Sequence, residues 1–128
     1  MTQITHYPAA GAFPFSSAVR ANGWVLLSGQ IPFDADAKPH TGDIRAQTQA
    51  VMDSICRTLE QVGSSIADVV KVNVWLGDLA DFAAFNAVYA SYFESGKFPV
   101  RSLVQAGLAF DVKVEVEVQA LDRTRAGG

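Results

Sequence analysis

The sequence predicts an α+β domain in which two helices pack on one face of a mixed β-sheet. Three observations lead there. Apolar residues alternate with polar ones in short runs such as VVKVNVWL and VKVEVEVQAL. In two longer runs they recur at steps of three and four. Turn-forming residues separate these segments into the order β-β-α-β-α-β-β.

Residues 16–29 read as a hairpin, because SAVR and WVLLSG flank Ala21-Asn22-Gly23 and Asn-Gly is the strongest short hairpin signal. Residues 32–42, PFDADAKPHTG, form a loop. A helix is expected over 43–62, capped by Asp43, with Ile44, Thr48, Val51, Ile55, Leu59 and Val62 in one stripe and Gly63 ending it. Residues 69–76 follow as a strand. Val70, Val72, Val74 and Leu76 face one way; Lys71, Asn73 and Trp75 face the other. Asp78 caps a second helix, 79–94, with Phe82, Asn86, Tyr89 and Phe93 on a shared face and Gly96 and Pro99 closing it. Strands at 100–106 and 112–121 finish the chain. In the last, Val112, Val114, Val116 and Val118 oppose Lys113, Glu115, Glu117 and Gln119. Two helices cover only one face, so Trp75 on the other face predicts association with another copy.

At 128 residues the chain is expected to be a single domain, 1–128, with 1–13 an N-terminal extension and 122–128 flexible. Hydrophobic residues at 49% and charged residues at 18% are a globular balance that sustains one core. A net charge of −3 with no basic run argues against a nucleic-acid partner. The lone cysteine, Cys56, excludes an intrachain disulfide and fits a reducing, cytoplasmic setting. The N-terminus has no basic segment followed by an apolar run, so no signal peptide is expected. No apolar run approaches the roughly 18–20 residues that span a membrane.

Arg101 is the first candidate for chemistry. It lies within FPVRSLV, which reads as a buried strand, and its guanidinium cannot lose its charge. Its partner is either a carboxylate such as Glu115 or Glu117, from this chain or another copy, or the carboxylate of a ligand held by two parallel hydrogen bonds. Glu115 and Glu117 stand roughly 7 Å apart on one face of their strand. They form either a solvated face or, if covered, carboxylates with raised pKa suited to proton transfer. Asn86, on an apolar stripe, either secures a loop or contacts a ligand. Ser28-Gly29 ends a strand, where Gly29 permits a turn or a close approach and Ser28 offers a donor to an oxyanion. His6 and His40 lie in separate segments without a cysteine at metal-ligand spacing, and there is no phosphate loop or nucleophile elbow. Neither metal nor cofactor is expected.

Taken together, SGQIP at 28–32, AQTQAVMDSI at 46–55, DVVKVNVWLGDLADFAAFNAVYASYF at 68–93, FPVRS at 98–102 and VKVEVE at 112–117 resemble the Rid (RidA/YjgF) family of enamine/imine deaminases. The resemblance spans about residues 14–121 and implies a chorismate-mutase-like subunit in a homotrimer, with active sites in clefts between subunits. It implies hydrolysis of 2-aminoacrylate and related enamine/imine acids to 2-keto acids and ammonia, without cofactor or metal. It makes Arg101 the clamp for the substrate carboxylate and Glu115 the group that activates water. Phe15, Ser28, Gly29, Asn86 and Leu103 line the pocket, with backbone carbonyls near Leu103 helping to hold the water.

The chain departs from the family pattern at three places. Pro14-Phe15 stands where a tyrosine usually follows the proline. Leu103 replaces a frequent cysteine or threonine. The segment between Arg101 and Glu115 is one residue shorter and lacks a Leu-Pro. The pocket is therefore more apolar, which points to a larger or different imine acid. An alternative is a small-carboxylate sensor that keeps Arg101 and has no turnover. A ribonuclease or translation-inhibitor role, attached to some relatives, fits the charge poorly.

Overall fold

The computed structural model describes residues 3–124. Its strands are β1 (Ile4–Pro8), β2 (Ser16–Ala21), β3 (Trp24–Leu27), β4 (Val69–Leu76), β5 (Val100–Gln105) and β6 (Val114–Leu121). Helix α1 (Ile44–Gln61) follows β3, and α2 (Phe82–Ala90) follows β4. The strands make one mixed sheet in the order β1-β2-β3-β6-β4-β5. β4 and β5 are parallel, and the other neighbouring pairs are antiparallel.

Local signals act as the sequence predicts. Asn22 (φ 51°) and Gly23 (φ 87°) both take the left-handed conformation that a two-residue hairpin turn requires. Asp43 caps α1 by accepting the Ala46 N–H at 2.9 Å. At the other end, Gly63 N–H donates to Glu60 and Ser64 N–H to Leu59, the paired bonds that close a helix with a C′ glycine. The α1 stripe is buried from Ile44 to Val62, and it packs with Val25, Val72, Val74, Leu76, Phe85, Val114, Val116 and Val118 in one core. Each such aliphatic or aromatic side chain contributes about 1.5–3 kcal/mol by burial.

Several expectations are corrected. The segment before residue 14 is not a free extension, because Ile4–Pro8 pairs with β2 and Tyr7 packs on the core. The second helix is shorter than 79–94: a 3-10 turn over Leu79–Asp81, with Asp78 accepting the Ala80 N–H, leads into α2. Its buried residues are Phe85 and Tyr89, while Phe82 is 44% exposed. A bulge between Val69 and Lys71 puts Val69 rather than Val70 in the core. The last strand starts at Val114, after a turn in which Phe110 and Asp111 both have positive φ. Asp122 is buried and paired with Arg20, and Arg123 donates to Asp68, so the tail is tied at least to there; residues 125–128 of the expected flexible tail lie outside the described residues.

FPVRSLV is not a buried strand. β5 lies at the sheet edge, with Phe98 52%, Val100 68% and Val104 52% exposed. The apolar composition suits burial, but among the described residues β4 is the only strand that pairs with it. The face away from the helices carries Leu26, Trp75, Val100 and Val104 beside Lys71, Asn73, Glu115, Glu117 and Gln119.

Gln47 holds the approach to β6. It is buried in α1, donates to the Gly42 carbonyl and accepts the Lys113 N–H, both at 2.8 Å. Gln47→Leu removes the partner of two part-buried backbone groups. It is expected to lower stability by about 1–3 kcal/mol, read as the shift of a urea unfolding curve.

Candidate functional site

Arg101 stands opposite Val72 in the β4–β5 ladder. Residues opposite one another share a face, so Arg101 points to the helix side. There α2 presents Phe82, Phe85 and Tyr89 at helical spacing, with ring centroids 6.0, 5.7 and 5.0 Å from the guanidinium carbon. Arg101 Nη1 donates to Asn86 Oδ1 at 2.8 Å. Asn86 therefore orients the arginine rather than securing a loop. Among the described residues no carboxylate lies within salt-bridge distance of Arg101, which removes an ion pair with Glu115 or Glu117 of the same chain. Cation–π contacts of about 0.5–2 kcal/mol each hold the group in place. They do not neutralise it, and partial desolvation of an ion costs several kcal/mol. An incoming carboxylate thus meets an oriented, uncompensated cation. A cavity of about 250 Å³ opens beside it, lined by Asn86, Tyr89, Ala90, Phe98, Pro99 and Arg101.

The second group of candidates assembles elsewhere. Gln30 exchanges both backbone hydrogen bonds with Val116, which lays the segment after β3 along β6. The Gln30 side chain secures it to α1, accepting from Ser54 Oγ at 2.8 Å and donating to Thr58 Oγ1 at 3.1 Å. Gly29 then lies against Glu115, and a Cβ at position 29 would overlap the Glu115 carboxylate. A close approach, not a turn, requires this glycine. Ser28 does not offer its proton to a ligand here, because its hydroxyl donates to the Ser16 carbonyl at 2.5 Å. The neighbouring Phe15 is 53% exposed and stacked on Phe13 at 6.1 Å between centroids.

The two carboxylates of β6 differ. Glu117 accepts from Asn73 Nδ2 at 3.0 Å. Glu115 accepts no hydrogen bond from the described residues, and its pKa is raised by burial first and by the Glu117 charge second. A carboxylate displaced this way exchanges protons nearer neutrality.

The sheet separates the two groups. Glu115 is paired with Trp75 on the uncovered face, whereas Arg101 and Leu103, opposite Val72 and Val74, are on the helix face. One chain therefore places Arg101 with Asn86, and Glu115 with Gly29, but not the first pair with the second. Phe85, Ala90, Phe98 and Pro99 were not singled out as site residues by the sequence. The signal for Phe85 was its spacing from Phe82 and Tyr89, which puts three rings on the side of α2 facing Arg101. Among the described residues no three His, Cys, Asp or Glu side chains are arranged to hold a metal ion.

Comparison with known proteins shows the family of the chain. The family model described as endoribonuclease L-PSP matches residues 5–122. The chain is 35% identical over 125 residues to the 2-iminobutanoate/2-iminopropanoate deaminase of Salmonella typhimurium, covering 95% of this chain and 98% of that protein. It is 42% identical over 117 residues to the mitochondrial protein MMF1 of Saccharomyces cerevisiae, covering 91% and 79%. The crystal structure of RidA from the Antarctic bacterium Psychrobacter superposes with a TM-score of 0.80 at 35% identity, covering 91% and 93%.

Two stability effects follow. The Tyr89 hydroxyl is buried without a hydrogen-bond partner, and burial pushes its pKa up to about 12. Tyr89→Phe is expected to stabilise the protein by about 1–3 kcal/mol in urea unfolding, since the unpaired group is removed and the ring kept. Glu115 has a folded-state pKa above its unfolded one, so its contribution to stability is full below the unfolded pKa and lost as pH rises through the folded one. Glu115→Gln should therefore be more stable than the parent at pH 7, with the gap closing as pH falls below the ordinary glutamate range. A gap that widens on acidification would contradict the raised pKa.

Proposed function

This chain belongs to the endoribonuclease L-PSP family, to which Rid proteins such as RidA belong, and from that premise we propose that it hydrolyses 2-imino acids and their enamine tautomers to 2-keto acids and ammonia. The observation that carries this reading is a pair of complementary groups left unpaired with each other in one chain: among the described residues the Arg101 guanidinium meets no carboxylate and the Glu115 carboxylate accepts no hydrogen bond. A relative at 35% identity bears the deaminase name.

The chemistry asks little of the protein. The imine carbon is already electrophilic. Arg101 holds the substrate carboxylate and so fixes the carbon in space. Glu115 takes a proton from water as the water oxygen bonds to that carbon, and returns it to nitrogen to complete a carbinolamine. Glu115 then takes the carbinolamine hydroxyl proton as the C=O bond forms, and that proton goes to nitrogen as the C–N bond breaks and ammonia leaves. Substrate plus water equals keto acid plus ammonia, so no external oxidant or reductant is needed.

Because the sheet keeps Arg101 and Glu115 apart within a chain, the working site on this reading lies between chains. The exposed β5 edge and Arg101 of one subunit would meet the Gly29–Glu115 face of the next, in the homotrimer that the family resemblance implies. Leu26, Val100 and Val104, exposed on the uncovered face, supply an apolar surface for that contact. A carboxylate sensor would use Arg101 alone, whereas the unbonded Glu115 with its raised pKa favours turnover. The family name points to RNA, but a net charge of −3 gives a polyanion no footprint. No helix among the described residues is long and apolar enough to cross a membrane. The single cysteine supports a reducing compartment such as the cytoplasm, although one relative carries a mitochondrial name.

The test is release of pyruvate from 2-aminoacrylate generated in place by a serine-eliminating pyridoxal enzyme, with semicarbazide trapping free imine. Arg101→Ala should lower kcat/KM by about a hundredfold or more, as expected for losing two charge-assisted hydrogen bonds. Glu115→Gln should retain carboxylate binding and lower kcat by about 10²–10⁴. Full activity in either variant would refute its assigned role. Light scattering should show that the active species is a trimer; an active monomer would refute the shared site.

A further inference from the structure

The cavity beside Arg101 has two kinds of lining. Arg101 and Asn86 are the polar part, and since Asn86 Oδ1 is already engaged by Arg101, that part presents donors to a ligand. The remaining walls are Tyr89, Ala90, Phe98 and Pro99. Tyr89 contributes its ring, not its hydroxyl, which is enclosed in the protein. Phe98 is 52% exposed and stands at the mouth, steadied by Phe93 at 6.1 Å between centroids and by Pro99, whose ring fixes the backbone between it and Arg101. No acidic or basic side chain besides Arg101 lines the cavity.

We propose that this cavity is a side-chain subsite that makes the chain selective for 2-imino acids with branched or aromatic side chains. The inference rests on the reading that Arg101 takes the substrate carboxylate, which places the α-substituent within reach of the apolar walls. An apolar cavity of about 150 Å³ is enough to accept benzene, so about 250 Å³ accommodates an isobutyl or benzyl group. A methyl group leaves most of it to water. Charged side chains meet no countercharge there and are disfavoured.

The experiment has a binding arm and a turnover arm. Propanoate, 4-methylpentanoate and 3-phenylpropanoate share a carboxylate and differ in apolar bulk, and their affinities are read by calorimetry on the assembled protein. 2-Iminopropanoate and 2-imino-4-methylpentanoate are generated from alanine and leucine by an amino-acid oxidase, with catalase removing peroxide, and kcat/KM is compared. The two larger carboxylates should bind about tenfold or more tighter than propanoate, and the larger imine should show a similar advantage in kcat/KM. Ala90→Phe, which fills the cavity, should erase both preferences, and Phe98→Ser should reduce them. Equal affinities for the three carboxylates, or a preference that Ala90→Phe leaves intact, overturns the subsite. Turnover of both imines at equal kcat/KM overturns it while leaving the deaminase reading in place. Ranked carboxylate binding without acceleration of any imine leaves the subsite in place and refutes the deaminase reading.

Discussion

The structure turns on one constraint: two helices cover one face of a six-stranded sheet, and the described residues supply nothing comparable for the other. The covered face is a conventional core in which α1 and α2 meet the valines of β4 and β6. The uncovered face mixes Leu26, Val100 and Val104 with the carboxylates of β6. Strand alternation carries this asymmetry to the candidate residues of β5 and β6. In the β4–β6 ladder Val74 faces Val116 inside, and one position along Trp75 faces Glu115 outside. Once the valines are buried, the glutamates have no choice of side.

Arg101 experiences the same rule with the opposite outcome. It follows the buried parity of Val72, so it points under α2 and is enclosed by aromatic rings instead of carboxylates. Ring faces orient a guanidinium without neutralising it, and Asn86 adds a directional bond without adding charge. A carboxylate in Asn86's place would satisfy the arginine within the chain and leave nothing for a ligand. Glu115 is kept available by a different device: Glu117 takes the Asn73 amide, and Gly29 yields the space a side chain would fill. The polar contacts that hold these elements, Gln30 to Ser54 and Thr58, and Gln47 to the backbone at 42 and 113, lie behind the site on the helix side. The candidate residues are thus positioned from the core and left without partners of opposite charge among the described residues.

Much of this is legible in the residues. The alternation of VKVEVEV specifies which side chains are inside β6, the Asn-Gly pair specifies the hairpin, and Asp43 and Gly63 bound α1 closely. Less legible were features in which apolar composition outran burial. FPVRSLV reads as interior, yet it forms an edge strand, because composition does not count how many neighbours a strand acquires. Val69 and Val70 are equivalent in sequence, and only the bulge decides which is buried. ITHYP lacks the length and apolar content of a clear strand signal, and it is ordered by pairing with β2.

By itself, the sequence determined the α+β class, the boundaries of the long helix and the faces of the last strand, and it marked Arg101 as a charge in need of a partner. These depend on local periodicity, capping and residue chemistry, all encoded within a few residues of one another. Tertiary structure alone decided that Arg101 is ringed by α2 and bonded to Asn86, that Glu115 lies against Gly29, and that the sheet stands between the two. Those relations join positions far apart in the chain through strand register and helix packing, and a register is a property of paired strands that neither strand carries alone.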